Sequence, residues 1–185
     1  MIARKNIKRL MPIIVFVLFL LDSHLTNIMD NLTEGHATIH INLLVAMIVA
    51  ASCVVDEYYM LIITIILSVF FDLYFVGFVG VFAVAVPLTT FLIYRARQYN
   101  PKQHVSAVSE IFLYIVAIFC FEFITMFVQA LYGVSVFSIS EFVNHILGYT
   151  VIVNALLFFL VFPLFKFMLV RDTIYDTSVL DRADD

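Results

Sequence analysis

The sequence predicts an all-α integral membrane protein with six transmembrane helices. Three observations predict this class: the composition, six apolar runs and the placement of the basic residues. Of the 185 residues, 64% are hydrophobic and 13% are charged, and the mean hydropathy is +1.08. A soluble domain would be about half apolar and about a quarter charged. The composition therefore excludes an ordinary soluble globular domain.

The six apolar runs predict helices over roughly 10–29, 41–55, 60–75, 78–94, 110–132 and 142–170. A helix needs about 20 apolar residues to cross a hydrocarbon core of about 30 Å, so we expect the short third run to be tilted or broken. The first run follows a basic amino terminus but lacks a small-x-small cleavage site. We therefore interpret it as an uncleaved helix and not as a signal peptide.

The ten Lys and Arg residues occur before the first helix, between the fourth and fifth, and at or after the end of the sixth. Basic residues collect in cytoplasmic loops. This distribution predicts that both termini and the loop around Lys102 are cytoplasmic, and that the loops near Asp30, Gly77 and Ser135 are external. We expect a single domain over 1–172 and an acidic, disordered tail over 173–185.

Asp72 is an isolated acid in the apolar segment Ser68 to Gly80. A charge inside a bilayer costs about 3 kcal/mol or more, so such a residue has a function by default. Gly77 and Gly80 permit a tight reversal of the chain. We interpret Asp72 as a clamp that accepts hydrogen bonds from amides of this reversal, where the fourth helix begins; contact with a partner's transmembrane segment is the alternative. In that fourth helix, Pro87 predicts a kink.

Glu122 and Asn154 lie on the fifth and sixth predicted helices, each roughly 17 to 18 Å from the cytoplasmic end of its helix. The two side chains could therefore meet near the midplane. Thr125 and Gln129 share the helix face of Glu122, and Thr150 shares that of Asn154. We interpret these polar rows as contacts between helices, with a protonated Glu122, and a proton or solute pathway is the alternative.

No catalytic or metal-binding motif is present in the sequence. His36 and His40 have the spacing of two metal ligands on a helix, but a third ligand is lacking. The carboxylates of Asp22, Asp72 and Glu122 could converge in the outer half of the membrane, but three carboxylates alone define no reaction. We therefore expect no enzymatic activity, no cofactor, no metal and no nucleic-acid partner.

One segment, over residues 60 to 97, resembles the family of the rod shape-determining protein MreD. It has the form small-x-x-x-Asp-Leu-x-x-x-Gly-x-x-Gly and leads into an apolar helix that ends in Tyr and Arg. The matching residues are Ser68, Asp72, Leu73, Gly77, Gly80, Tyr94 and Arg95. Outside this segment the resemblance is one of size, helix number and hydropathy.

The resemblance implies a non-enzymatic component of the bacterial cell-wall elongation machinery in the plasma membrane. It implies binding to the bitopic protein MreC and, through MreC, links to a class B penicillin-binding protein, to RodA and, in rods, to MreB. It also implies a fold similar to the six-helix substrate-binding subunits of energy-coupling-factor vitamin transporters. A solute-binding subunit of such a transporter is therefore the alternative function. The apolar outer loop over 72–80 favours a lateral protein contact over a polar ligand cup.

Overall fold

The computed structural model is helical in the part of the chain that it describes, which comprises residues 4–34, 38–77, 79–99, 107–133 and 139–180. The helices are α1 (Arg4–Leu32), α2 (Leu43–Ala51), α3 (Glu57–Phe71), α4 (Val81–Tyr99), α5 (Ala107–Leu131) and α6 (Gly148–Leu180). A π-helical stretch, Asp72–Val76, extends α3, and a short turn, Ile139–Glu141, leads through a second π-helical stretch, Phe142–Leu147, into α6.

Helix α2 forms the centre of the bundle. All of its residues are buried, and it contacts α1, α4, α5 and α6. A helix that is apolar on every side is stable only when it is surrounded by other elements. The small side chains of Ala46, Ala50 and Ala51 permit the neighbouring helices to approach closely.

Within the described residues, four helices are long and apolar enough to cross a membrane: Arg9–Leu32, Glu57–Phe75, Val108–Leu131 and Phe142–Phe165. They correspond to the first, third, fifth and sixth predicted runs and confirm the prediction of a helical membrane protein. Helix α4 has 19 residues but carries Arg95 and Arg97 near its end. The count of six spans and the sidedness of the termini stay predictions.

The second predicted helix, 41–55, is wrong in its bounds. Residues 38–42 are not helical, and their alternate amides donate to opposite sides as in an extended chain, so the helix covers only Leu43–Ala51. A helix of nine residues is about 13 Å long, and five residues of extended chain add at most about 16 Å. The two pieces together therefore have the length of a membrane core. The chain is extended at 38–42 because neighbouring helices supply partners for its amides, as described below.

The remaining bounds differ from the predictions mainly at the helix ends. The third helix continues past Phe71 as a π-helical stretch, so that Glu57–Phe75 forms one helix of 19 residues, and its tilt or break stays a prediction. Helix α6 continues to Leu180, so residues 173–180 have a helical backbone where we predicted disorder. Pro87 lies inside α4 and is buried, and its kink stays a prediction. Lys102, Ser135 and residues 181–185 lie outside the described residues.

The exposed thiol of Cys53, in the turn that follows α2, tests the sidedness. If the amino terminus is cytoplasmic, this turn is cytoplasmic. A membrane-impermeant maleimide should then label Cys53 in inverted vesicles and leave it unlabelled in spheroplasts. In a Cys53→Ser, Cys120→Ala background, Leu32→Cys at the exposed outer end of α1 should show the opposite pattern. Labelling of Cys53 in spheroplasts would contradict the predicted orientation.

Candidate functional site

The extended segment 38–42 is held by side chains of α1 on one side. Amides of alternate residues, beginning at Ile39, donate to acceptors spaced four residues apart on α1. The distances are 3.4 Å from Ile39 N to Asp30 Oδ1, 3.0 Å from Ile41 N to Thr26 Oγ1 and 2.8 Å from Leu43 N to Asp22 Oδ1.

The intervening amides of the segment donate to α6 on the other side. His40 N lies 3.1 Å from Thr150 Oγ1, and Asn42 N lies 2.8 Å from Asn154 Oδ1. These acceptors are again four residues apart. We call the five acceptors the amide ladder; they are Asp22, Thr26, Asp30, Thr150 and Asn154.

The amide ladder works because two periodicities nearly coincide. Two residues of extended chain advance about 6.6 Å, and four residues of helix advance about 6 Å. Acceptors at every fourth helical position therefore stay in step with every second amide of the segment. From the sequence we predicted that Thr150 and Asn154 share one face of α6, but we did not predict the acceptors on α1. Their signal in the sequence is the pattern Asp22-x-x-x-Thr26-x-x-x-Asp30.

Glu122 binds the side chains of the same segment. Its Oε2 lies 2.7 Å from His40 Nδ1, and its Oε1 accepts from Asn42 Nδ2 at 2.9 Å. Asn154 accepts from the Asn42 amide and donates to the His40 carbonyl at 2.6 Å. The two predicted residues thus meet at Asn42, which lies between them and bridges them. Tyr114, which sequence reasoning missed, reaches the Asn42 carbonyl with its hydroxyl at 3.1 Å.

Both ends of α2 bind polar side chains from other helices. At the amino end, the Asp22 carboxyl group accepts from the amides of Leu43 and Leu44 at 2.8 and 2.9 Å. At the other end, Arg97 Nη2 donates to the Val49 carbonyl at 3.0 Å. Asp22 thus satisfies amides that have no partner within the helix, and the Arg97 cation also stabilises the carboxyl end through the helix dipole.

Arg97 is itself held by the buried carboxylate of Glu110 on α5. Arg97 Nη1 lies 2.8 Å from Glu110 Oε1, and Nη2 contacts Oε2. Burial lowers the pKa of Arg97, but the hydrogen bond and the charge of Glu110 outweigh burial and raise this pKa above its ordinary value. The guanidinium therefore stays charged and joins α2, α4 and α5 near their common end.

Asp72 makes the hydrogen bonds that the sequence led us to expect. Its Oδ2 accepts from the amides of Gly80 and Ala83 at 2.8 and 2.9 Å, and its Oδ1 accepts from Phe82 N at 3.0 Å. The residue is fully buried. Gly77 and Gly80 have φ of +83° and +144°, conformations that residues with a side chain rarely adopt. Asp72 thus satisfies the first amides of α4.

A cavity of about 260 Å³ lies beside the extended segment. Its polar lining comes from α1, the segment and α5: Asp22, Ser23, Thr26, Asn27, His40, Asn42, Glu122, Thr125 and Gln129. Its aromatic lining comprises Phe19, Phe71, Phe75, Phe82 and Phe121. Of the three carboxyl groups that could converge, those of Asp22 and Glu122 line this cavity. Asp72 instead accepts hydrogen bonds from amides at the start of α4. Outer-loop composition could not predict this lining, because helices supply most of it.

The histidine pair is only partly described. His36 lies outside the described residues, and His40 is bound to Glu122. The described residues contain no group of three His, Cys, Asp or Glu that could hold a metal ion.

Long apolar helices around a buried segment, whose polar groups are satisfied within the bundle, define a helical integral membrane protein. A family model of the rod shape-determining protein MreD matches residues 4–170, and the chain belongs to this family. Membership confirms the resemblance and implies a role in rod shape determination. Members of this family are structural components of shape determination, and the family is not a known enzyme family. No curated protein and no solved structure matches the chain. The likeness to vitamin-transporter subunits stays a prediction.

Substitution of Glu122 tests its role as a structural partner of His40 and Asn42. Glu122→Gln keeps hydrogen-bonding atoms and should melt close to the wild type. Glu122→Leu leaves the buried Asn42 amide group and the half-buried His40 ring without this acceptor, which costs about 2 kcal/mol. The melting temperature of the Leu variant in detergent, measured by circular dichroism, should therefore be about 4 to 8 °C below that of the wild type. Well-folded Gln and Leu variants that both fail to support cell shape would indicate a protonation role.

Substitution of Asp72 tests the clamp. Asp72→Asn retains one oxygen for the amides of Gly80 and Ala83, whereas Asp72→Leu leaves three amides without an acceptor. We expect the Leu variant to lose about 3 kcal/mol or more of stability and the Asn variant less. Leu73→Ala, at the exposed neighbouring position, is the matched control and should melt near the wild type. Equal melting of the Leu variant and the control would exclude the clamp.

Proposed function

We propose that this protein is a non-enzymatic component of the machinery that elongates the bacterial cell wall, and that it binds the bitopic membrane protein MreC. The observation that carries the proposal is the family match over residues 4–170, which includes the whole bundle around α2. Through MreC, the protein helps to position or regulate peptidoglycan synthases, with a class B penicillin-binding protein, RodA and MreB as indirect partners.

The use of the polar groups supports a scaffold role. Asp72 and Glu122 are buried acids in apolar helices, and their oxygens accept hydrogen bonds from their own chain. Such contacts give the bundle a defined shape, since an unsatisfied polar group inside a membrane is costly. A defined shape is what a protein needs to hold the transmembrane helix of a partner in a fixed position.

The proposed setting is the bacterial plasma membrane. We place the chain there as a multi-pass protein with six spans and both termini cytoplasmic, in contact with membrane lipid. The distribution of Lys and Arg supports this orientation. The second span in this arrangement is the extended segment 38–42 followed by α2.

A partner helix near Asp72 would touch its exposed neighbours, because the carboxylate is buried. Leu73 and Tyr74 are 58% and 75% exposed on the π-helical stretch. We propose this face as a contact surface for MreC.

Co-purification with tagged MreC from membranes tests the proposal. The wild type should be recovered with MreC, and Tyr74→Ala should reduce recovery severalfold without lowering the melting temperature. Phe112→Ala, at a position on α5 that is 69% exposed, is the control and should behave as the wild type. Failure to recover the wild type with MreC would contradict the proposal. Loss of MreC by an Asp72→Leu variant of unchanged stability would assign Asp72 to the interface.

The cavity favours one alternative, a solute-binding subunit of a vitamin-type transporter. Clefts lined by apolar groups and a few polar ones are typical of small-molecule sites. Uptake of labelled vitamins into vesicles that contain the purified protein with a transporter's energising subunits would discriminate the two functions. Uptake above that of vesicles without this chain would support the alternative, and its absence would support the scaffold.

A further inference from the structure

The cavity beside the extended segment is large enough for a small ligand. A water molecule occupies about 30 Å³ of liquid, so the volume of about 260 Å³ corresponds to about nine waters. The polar part of its lining, which we call the polar wall, comes from α1, the extended segment and α5. The aromatic part, which we call the aromatic wall, comprises Phe19 of α1, Phe71 of α3, Phe75 of the π-helical stretch, Phe82 of α4 and Phe121 of α5.

Thr125 presents an unused hydrogen-bonding group at this cavity. Its side chain lines the cavity, it is 7% exposed, and its hydroxyl has no partner among the described residues. Other buried hydroxyls of the bundle, those of Thr64, Ser68 and Thr90, donate to the carbonyl four residues earlier. A buried polar group without a partner is costly, and such groups in native proteins often mark a site for a ligand or a water.

The acceptors of the lining favour a ligand that donates hydrogen bonds. Asp22 and Glu122 contribute two carboxyl groups, His40 is paired with Glu122, and the described lining contains no Lys or Arg. Each carboxyl oxygen accepts one hydrogen bond from the chain and retains a lone pair for another. An ammonium group would therefore find acceptors, whereas an anion would find no Lys or Arg in the described lining.

The aromatic wall suits the same ligand. The rings of Phe71 and Phe75 are stacked with centroids 4.6 Å apart, and Phe82 meets Phe71 edge to face at 5.3 Å. Aromatic faces attract ammonium groups and also cover apolar groups. A ligand with a cationic head and an apolar body would thus use both walls.

We propose that this cavity binds a small organic cation with an ammonium head and an apolar body. Thr125, Glu122 and Gln129 hold the head, and the phenylalanine wall covers the body. The ammonium group can come from a soluble amine or from the headgroup of an aminophospholipid. This site is independent of the contact surface that we propose for MreC.

The first experiment compares three probes that share a phenyl ring and differ in charge: phenethylammonium, 2-phenylethanol and 3-phenylpropionate. Calorimetric titration of the purified full-length protein in detergent should show binding of the ammonium, at least tenfold weaker binding of the alcohol and none of the carboxylate. The ammonium should also raise the melting temperature in a concentration-dependent manner. Equal responses to the three probes, or none to the ammonium, would overturn the proposal.

Two matched variants test the position of the site. Thr125→Val removes the hydroxyl and should weaken phenethylammonium binding about tenfold, the effect of losing one hydrogen bond. Thr89 also has a buried hydroxyl without a partner among the described residues but does not line the cavity, so Thr89→Val should bind as the wild type. If Thr125→Val does not fold, Gln129→Leu replaces it with the same expectation. Wild-type binding by the folded variant would refute the assignment.

Vesicles of two compositions distinguish the sources of the ammonium group. If a lipid headgroup occupies the site, phosphatidylethanolamine vesicles should weaken phenethylammonium binding severalfold relative to phosphatidylglycerol vesicles. If a soluble amine is the natural ligand, the two vesicle types should give equal binding. Absence of binding in both would contradict the proposal.

Discussion

The hydrogen bonding of the extended segment 38–42 is the constraint on which the rest of the bundle depends. A helix satisfies its own amides, but an extended chain cannot, and the interior of a membrane protein offers little water in their place. The amide ladder supplies the missing acceptors from α1 and α6 on either side of the segment. Because each acceptor must lie within about 3 Å of its amide, the three elements have one relative position. The core around α2 is built on this arrangement.

Two aspartates accept hydrogen bonds from amides at helix starts, where the helix itself offers no acceptor. Asp22 satisfies the first amides of α2, and Asp72 satisfies those of α4. Each carboxylate lies on a preceding helix and so also joins that helix to the one that it caps. The hydrogen bonds from these amides offset the cost of burying a polar carboxyl group. At the other end of α2, Arg97 donates to the Val49 carbonyl, and its charge is compensated by Glu110.

The buried polar contacts and the exposed face beside Asp72 bear on how this fold could serve shape determination. The buried polar groups stabilise one arrangement of helices, and the exposed Leu73 and Tyr74 lie directly beside the Asp72 clamp. A contact made at this face would therefore act on a rigid part of the bundle. The cavity is a second feature next to the ladder, and it shares Asp22, Thr26 and Glu122 with the ladder and its partners. A ligand there would alter the environment of the segment that holds the bundle together.

The sequence by itself determined the membrane class, most of the apolar helices and the hydrogen bonds of Asp72, because hydropathy and short spacings govern them. Asp72 and the amides that it binds are only 8 to 11 residues apart. Only the tertiary structure decided that residues 41 and 42 are not helical, since their apolar surroundings equally fit a helix. The partners of His40 and Asn42 on other helices lie 72 to 114 residues away. The cavity and the roles of three residues depend on contacts between helices that are distant in the sequence: Asp22, Tyr114 and Arg97. Local sequence patterns do not predict such contacts.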